Sequence, residues 1–196
     1  MKKPFFLASL FFISLVNVVC TKDEQQQTAV TEKKGKPLTY LIKQGQHYSK
    51  PNPTVFTSVS TIIFDAVFDS SCIYTLTNTS NQNDINKLYG FSDCGTHHLE
   101  NSARIGWRWS NDSLRIFAFV HNNGEMIYTE ITTADIDSVI HCRITCLSSS
   151  YQFEVNGKIA ELPRNCSGKY SRYKLYPYFG GDEAAPHDIR IQITEL

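Results

Sequence analysis

The sequence predicts an all-β protein, a two-sheet antiparallel β-sandwich of jelly-roll type, with a small barrel as the alternative arrangement. Three observations carry that prediction. Apolar and polar residues alternate over many short segments, polar turns containing Asn, Ser and Gly separate them, and hardly any stretch repeats with the helical period. With 196 residues, 41% of them hydrophobic, the chain can fill one core but not two comfortable ones. No internal repeat is visible.

The first segment is not part of the sandwich. Lys2 and Lys3 precede a run from Phe5 to Val19 that is apolar apart from Ser9, Ser14 and Asn17. It is shorter than the roughly 20 residues a helix needs to span a bilayer, so residues 1–19 read as a secretory signal. Cys20 closes the run and "TKDE" (Thr21 to Glu24) follows. This boundary resembles the lipobox of bacterial lipoproteins, in which the cysteine thiol is acylated. Asn17 and Val19 stand where that motif ordinarily has an aliphatic and a small residue. "TKDE" resembles the acidic surface-export tag of Bacteroidota-type lipoproteins. The resemblance implies lipidation at Cys20 and an exported protein held on the outer membrane, facing the exterior, with the membrane touched only through the lipid. An uncleaved signal anchor is the alternative. Residues 20–37 contain almost no apolar side chains and read as a flexible tether, which leaves residues 38–196 as a single domain.

Within the domain, "PLTYLIKQGQHYS" reads as a strand ending in a Gly turn. "VFTSVSTIIFDAVFD" (Val55 to Asp69) reads as one long strand with a bulge, and "CIYTL" (Cys72 to Leu76) as another. The Asn-rich stretch from Asn78 to Gly95 reads as a long loop with a helical turn near Ile85 to Tyr89. The clearest signals come next. In "ARIGWRW", Ala103, Ile105, Trp107 and Trp109 fall on one face, and Arg104 and Arg108 on the other. In "LRIFAFVHNNG", Leu114, Ile116, Ala118 and Val120 face one way, and Arg115, Phe117, Phe119 and His121 the other. "NNG" closes a hairpin into "EMIYTEI". "SVIHCRITCL" and "YQFEVNG" form a second hairpin across "SSS", and "YKLYPYF" and "HDIRIQI" finish the chain.

Three of these segments, "NSARIGWRW" leading into "LRIFAFVHNNG", "YQFEVNG", and "YKLYPYFGGDEAAPHDIRIQI", make the domain resemble the concanavalin A-like jelly rolls, a group of lectins, laminin-G-like modules, glucanases and polysaccharide lyases. The resemblance covers most of the domain at the level of strand order, and it implies a carbohydrate partner. It transfers no catalytic residues. The Glu-x-Asp-x-x-Glu strand of laminarinase-like glucanases is absent, as is the Gln-x-His strand of jelly-roll alginate lyases, although "YPYFGG" resembles the Tyr-bearing strand of the lyases.

Charge narrows the function classes. Basic and acidic residues number 19 each and no long basic run occurs, which argues against nucleic acid as a partner. Setting Cys20 aside leaves five cysteines, so an exported domain keeps at least one free thiol. Cys142 and Cys146, four apart on a strand, are separated by roughly 13 Å, too far to bridge. Cys94 and Cys166, both in loop-like surroundings, are the candidate disulfide, with Cys72 and Cys146 as buried thiols. "CGTHH" with His141 and Cys142 offers zinc-type ligands, but without paired Cys-x-x-Cys spacing. Asp182, Glu183 and Asp188 are candidates for a structural calcium, set against a solvated turn; no other metal or cofactor is expected. "DSL" and "DSV", at Asp112 and Asp137, match the short O-glycosylation sequon of Bacteroidota-type exported proteins.

A sugar site needs an aromatic surface for a ring and planar charged or amide groups for hydroxyls. Arg104 and Arg108, with Phe117, Phe119 and His121 on the neighbouring strand, meet that description. His97, His98, Tyr178 and His187 lie on candidate rim loops. The expectation is therefore a surface lipoprotein whose jelly-roll domain binds a glycan or polysaccharide. One alternative is a polysaccharide lyase or glycoside hydrolase on the same fold, with Arg and His neutralising acid and Tyr or His moving a proton. The other is an adhesion or structural module with a protein partner.

Overall fold

Alternation along each strand sends successive side chains to opposite faces, and pairing then sorts these faces into a shared core and two outer surfaces. The computed structural model describes residues 35–167 and 172–196. The signal, Cys20 and most of the tether lie outside the described residues. The described residues belong to one compact unit.

Thirteen strands are present among the described residues: β1 (Leu38–Ile42), β2 (Ser49–Lys50), β3 (Phe56–Thr57), β4 (Thr61–Phe68), β5 (Asn86–Ser92), β6 (Asn101–Ser110), β7 (Ser113–Asn122), β8 (Glu125–Ala134), β9 (Val139–Cys146), β10 (Ser150–Val155), β11 (Lys158–Pro163), β12 (Arg172–Leu175) and β13 (Ile189–Glu195). They form a seven-stranded sheet ordered β11-β10-β9-β4-β13-β1-β2 and a six-stranded sheet ordered β3-β12-β5-β6-β7-β8. All named pairings are antiparallel. The architecture is the expected two-sheet jelly-roll sandwich.

The core lies between the sheets. Phe64, Ala66 and Phe68 of β4, Cys142 and Ile144 of β9, and Ile191 and Ile193 of β13 project from one side; Tyr89 and Phe91 of β5, Ile105 and Trp107 of β6, and Ile116 and Ala118 of β7 project from the other. Trp107 is fully buried between Phe68 and Tyr74. Three hairpins close on left-handed turn residues: Asn111-Asp112, Asn123-Gly124 and Asn156-Gly157 all have positive φ. Turns of this kind match the twist of the flanking strands. Three of the four sheet margins are blunt, formed by the two-residue strands β2 and β3 and by β11, which carries Lys158, Glu161 and Pro163; the fourth is the ten-residue β8.

Three local expectations are corrected, and one strand was not foreseen. Val55 to Asp69 is not one bulged strand, because β3 belongs to the six-stranded sheet and β4 to the seven-stranded one. Residues 73–76 form no strand: a short 3-10 turn (Ser70–Cys72) leads into irregular chain whose Tyr74 and Leu76 still fill the core. The region from Asn78 to Gly95 is not mainly loop. It holds a 3-10 helix (Thr79–Asn83) and then β5, which is extended where a helical turn was expected. Strand β11, unmarked by any alternation, pairs along its whole length with β10.

Candidate functional site

The outer face of the six-stranded sheet carries the site. On β6 and β7, the residues that alternate with the core set are Arg104 and Arg108, and Phe117, Phe119 and His121. Register puts Arg104 opposite Phe119 on β7 and opposite Gly90 on β5. A Cβ at Gly90 would lie 2.0 Å from the Ala103 carbonyl and 2.8 Å from Arg104 Cγ. Only a glycine there lets the arginine stem lie across β5. Phe117 and Phe119 form a small second core with Ile85, so they are the floor of the face, not exposed stacking platforms. Lys87 Nζ lies 4.7 Å above the Phe119 ring and donates to the Ile85 carbonyl at 2.7 Å.

Above that floor opens a groove of about 420 Å³, into which Lys87, Arg104, His98, His121, Tyr173 and Tyr178 all open. No Asp or Glu lines it. Arg104 is 5% exposed, and its Nε has no hydrogen-bond partner. No carboxylate pairs with it among the described residues. Burial lowers its pKa from 12.5 to about 10. Lys87 falls to about 8, through burial first and then the nearby Arg104 charge, with Asp84 opposing. His98 and His121 fall to about 4, again through burial first and then Arg104. At neutral pH both imidazoles are therefore uncharged, while Arg104 is a cation without a counterion among the described residues. Tyr178 is raised by burial and by Tyr48, against the pull of Arg104. The Tyr173 hydroxyl accepts the His98 backbone N–H at 3.0 Å and meets Nδ1 of the same residue at 3.0 Å. Its own proton is thus free to bond that ring nitrogen.

Of the candidates read from sequence, the fold gathers Arg104, His98, His121 and Tyr178 around the groove, with Phe119 beneath it. Arg108 is turned aside: its NH1 donates to the Asn83 carbonyl at 2.5 Å and its guanidinium covers Phe117. His97 stacks behind His98, with ring centroids 4.1 Å apart. His187 does not join, since its Nε2 contacts the Ser71 carbonyl at 2.8 Å. Lys87, Tyr173, Tyr48 and Met126 are lining residues that sequence reasoning missed. The Gly in "KLYG" was the available signal: a small residue opposite Arg104 only makes sense if the segment is a strand.

The calcium candidates do not converge. Both Glu183 oxygens are taken by the backbone N–H groups of Thr77 and Asn78 and by Asn81 Nδ2, and Asp188 accepts from the Gln44 N–H. Among the described residues, one group of possible metal ligands comes together, Asp93, Cys94 and Cys166. There Cys94 and Cys166 are joined in a disulfide. Asp93 is already saturated by Arg164 Nε at 2.6 Å, Arg172 Nε at 2.8 Å and the Tyr151 hydroxyl at 2.8 Å. Burial raises the Asp93 pKa, and the bonds from Arg164, Tyr151 and the Cys94 N–H outweigh it, leaving the carboxyl below its ordinary range. This cluster is a structural clasp: it ties the β5–β6 loop, which carries His97 and His98, to the chain after β11 and to β12. Cys72 and Cys142 are buried free thiols, and Cys146 is a partly buried one.

No protein-family model and no curated protein matches the chain. Solved structures do share its fold. The alginate lyase AlyC3 superposes with a TM-score of 0.58 at 13% identity, covering 80% of this chain and 72% of its own. The laminarinase catalytic domain from Thermotoga maritima gives 0.52 at 11% identity, covering 81% and 76%. An endo-1,3-beta-glucanase (laminarinase) catalytic domain from Thermotoga petrophila gives 0.52 at 10% identity, covering 81% and 75%. At these identities the likeness establishes the jelly-roll fold and nothing finer.

Proposed function

We propose that the groove on the six-stranded sheet binds an acidic carbohydrate, a chain whose sugar units carry carboxylates. One observation carries this reading: Arg104 is buried as a cation with no counterion among the described residues, beside Lys87, His98 and His121. A buried charge is costly unless it is paired. A carboxylate brought in by the ligand supplies the missing partner, and a guanidinium can accept it in a two-pronged geometry. A neutral glucan would leave the charge unpaired. The alginate lyase and laminarinase neighbours support a saccharide as the partner in general terms. Calorimetric titration of the chain with uronic-acid oligosaccharides and with neutral glucan oligosaccharides tests the reading. Binding of the acidic set alone is expected. Equal binding of both sets, or of neither, overturns it.

A second reading is favoured by the pairing of the Tyr173 hydroxyl with His98 beside Arg104. With a uronate carboxylate neutralised by Arg104, a phenol or imidazole in this groove can take the proton from the carbon next to the carboxylate. The bond from the neighbouring carbon to the glycosidic oxygen then breaks, a carbon–carbon double bond forms, and the leaving oxygen receives a proton. Ultraviolet absorbance from an unsaturated product, lost in Tyr173→Phe or Tyr178→Phe, supports this lyase reading. Hydrolysis is less well served, because paired carboxylates are needed and none lines the groove among the described residues.

We also propose that the domain is displayed on the cell surface by lipidation of Cys20. The support is the boundary "LVNVVCTKDE" and the polar tether behind it. In the native host, Cys20→Ser is expected to abolish acyl labelling and to release the protein from membranes. Retention without labelling overturns the assignment.

A further inference from the structure

We infer that the groove does not end at its rim but continues past Tyr48 into a second cleft, which takes further units of the same acidic chain; this rests on the acidic-glycan reading. The second cleft, of about 550 Å³, lies along the edge formed by β1, β2 and the turn between them. Tyr48 and Asn52 line both spaces, so the two adjoin. Tyr48 stands 64% exposed between them, its ring edge-on to Tyr178 at 4.9 Å. Backbone bridges run from Tyr48 to Tyr178 and from Tyr178 to Lys87, which ties the divide to the groove floor.

The second cleft has the same electrostatic character as the first. Lys43 and Lys50 line it, no Asp or Glu does, and neither lysine is ion-paired among the described residues. Gln44 and Gln46 add amides of the kind that bond sugar hydroxyls. Ser49 is 1% exposed, and its hydroxyl oxygen is buried without a hydrogen-bond partner. Leaving a buried polar group unsatisfied is costly, and Ser49 is a lining residue of this cleft.

The cleft is also held in shape. Gly45, at φ +73°, turns the chain so that the Gln46 N–H donates to the Lys43 carbonyl at 3.0 Å. The Gly45 N–H donates to the Ala185 carbonyl at 2.9 Å, and the Ser49 N–H to the Pro177 carbonyl at 3.2 Å. The carboxylate that touches this turn, Asp188, is occupied by the Gln44 N–H and lies 4.0 Å from Arg190. It leaves the lysines available to an incoming anion.

The test is the dependence of affinity on chain length. Mannuronate disaccharide and hexasaccharide are titrated against the full chain and against K43A/K50A, with thermal unfolding checking that the variant is folded. The hexasaccharide is expected to bind the unaltered protein about tenfold more tightly than the disaccharide, as two rim cations acting together would provide. That advantage should vanish in K43A/K50A and weaken with added salt. Lys158→Ala, at the opposite edge of the same sheet, should keep it. Equal affinity for the two lengths, an advantage that survives in K43A/K50A, or an equal loss in Lys158→Ala overturns the extension and leaves the groove reading standing. Failure of both lengths to bind the unaltered protein overturns the groove reading and the extension with it.

Discussion

Replacing Arg104 with methionine should make the protein more stable and, at the same time, poorer at its task. Methionine keeps most of the stem that lies against Gly90 and Phe119 and removes the charge. The cost of that charge can be sized from the displacement of the Arg104 pKa, from 12.5 to about 10. At neutral pH, below both the folded and the unfolded value, the displacement corresponds to about 3 kcal/mol of unfavourable free energy in the folded state. Losing the contact of the guanidinium with the Phe119 ring, 5.9 Å away, returns about 1 kcal/mol. The net gain is then about 2 kcal/mol, a rise in melting temperature of about 4–8 °C for a domain of this size. Binding goes the other way. Removing one partner of a desolvated, hydrogen-bonded charge pair costs about 2–5 kcal/mol, so the dissociation constant for a uronic-acid oligosaccharide should rise from about thirtyfold to a few thousandfold. Scanning calorimetry of the ligand-free protein and titration calorimetry with the oligosaccharide read the two effects separately. Arg104→Lys is the companion variant: it keeps a charge without the two-pronged geometry, and should weaken binding without the gain in stability. A methionine variant that melts several degrees lower while binding unchanged would refute the reasoning and make Arg104 a structural residue.

Acid should destabilise the ligand-free domain between pH 6.5 and about 4, because His98 and His121 have folded pKa values near 4 against 6.5 when unfolded. Their contribution is complete above the unfolded value and is lost as pH falls towards the folded one. His121→Leu should flatten that limb of a stability profile followed by urea unfolding, and an unchanged limb would count against the burial argument. Asp93→Asn should lower stability by about 3–5 kcal/mol, since it leaves the buried Arg164 and Arg172 without their shared carboxylate; a melting shift of under about 2 °C would show the clasp to be dispensable. Removing the Cys94–Cys166 disulfide, whose ends are 72 residues apart, should cost about 4 kcal/mol. Hydrogen exchange should then quicken in the loop bearing His97 and His98, and an unchanged exchange rate there would separate the disulfide from the groove.

Local pattern was informative where one face of a strand meets the core and the other does not. β4 and β10 alternate cleanly between buried and half-exposed positions, and both lie within segments that read as strands. β5 failed that test for a physical reason. Its core face packs against the opposite sheet and its outer face lies under the groove residues, so nearly every position is buried and "NKLYGFS" shows no period. Residues 73–76 misled in the opposite sense, because apolar alternation fills the core from irregular chain as well as from a strand. The run from Val55 to Asp69 looked continuous because alternation does not say which sheet a strand joins. The same limit applies to the site. Arg104 and His121 could be paired by reasoning along adjacent strands, whereas Lys87 sits on β5, whose pattern hid it, and Tyr173 and Tyr48 come from segments distant in sequence.

Side-chain period and turn chemistry, both properties of neighbouring residues, were enough to determine an all-β sandwich with Trp107 inward and Arg104 outward. Whether Arg104 had a counterion was a different kind of question. Any of 19 acidic residues could have supplied one, and only the folded chain, by bringing Lys87, His98 and His121 to the same groove and turning Asp93, Glu183 and Glu195 to other partners, left it without one among the described residues. Charge pairing depends on distances between residues far apart in the chain, and those distances exist only once the sheets have stacked.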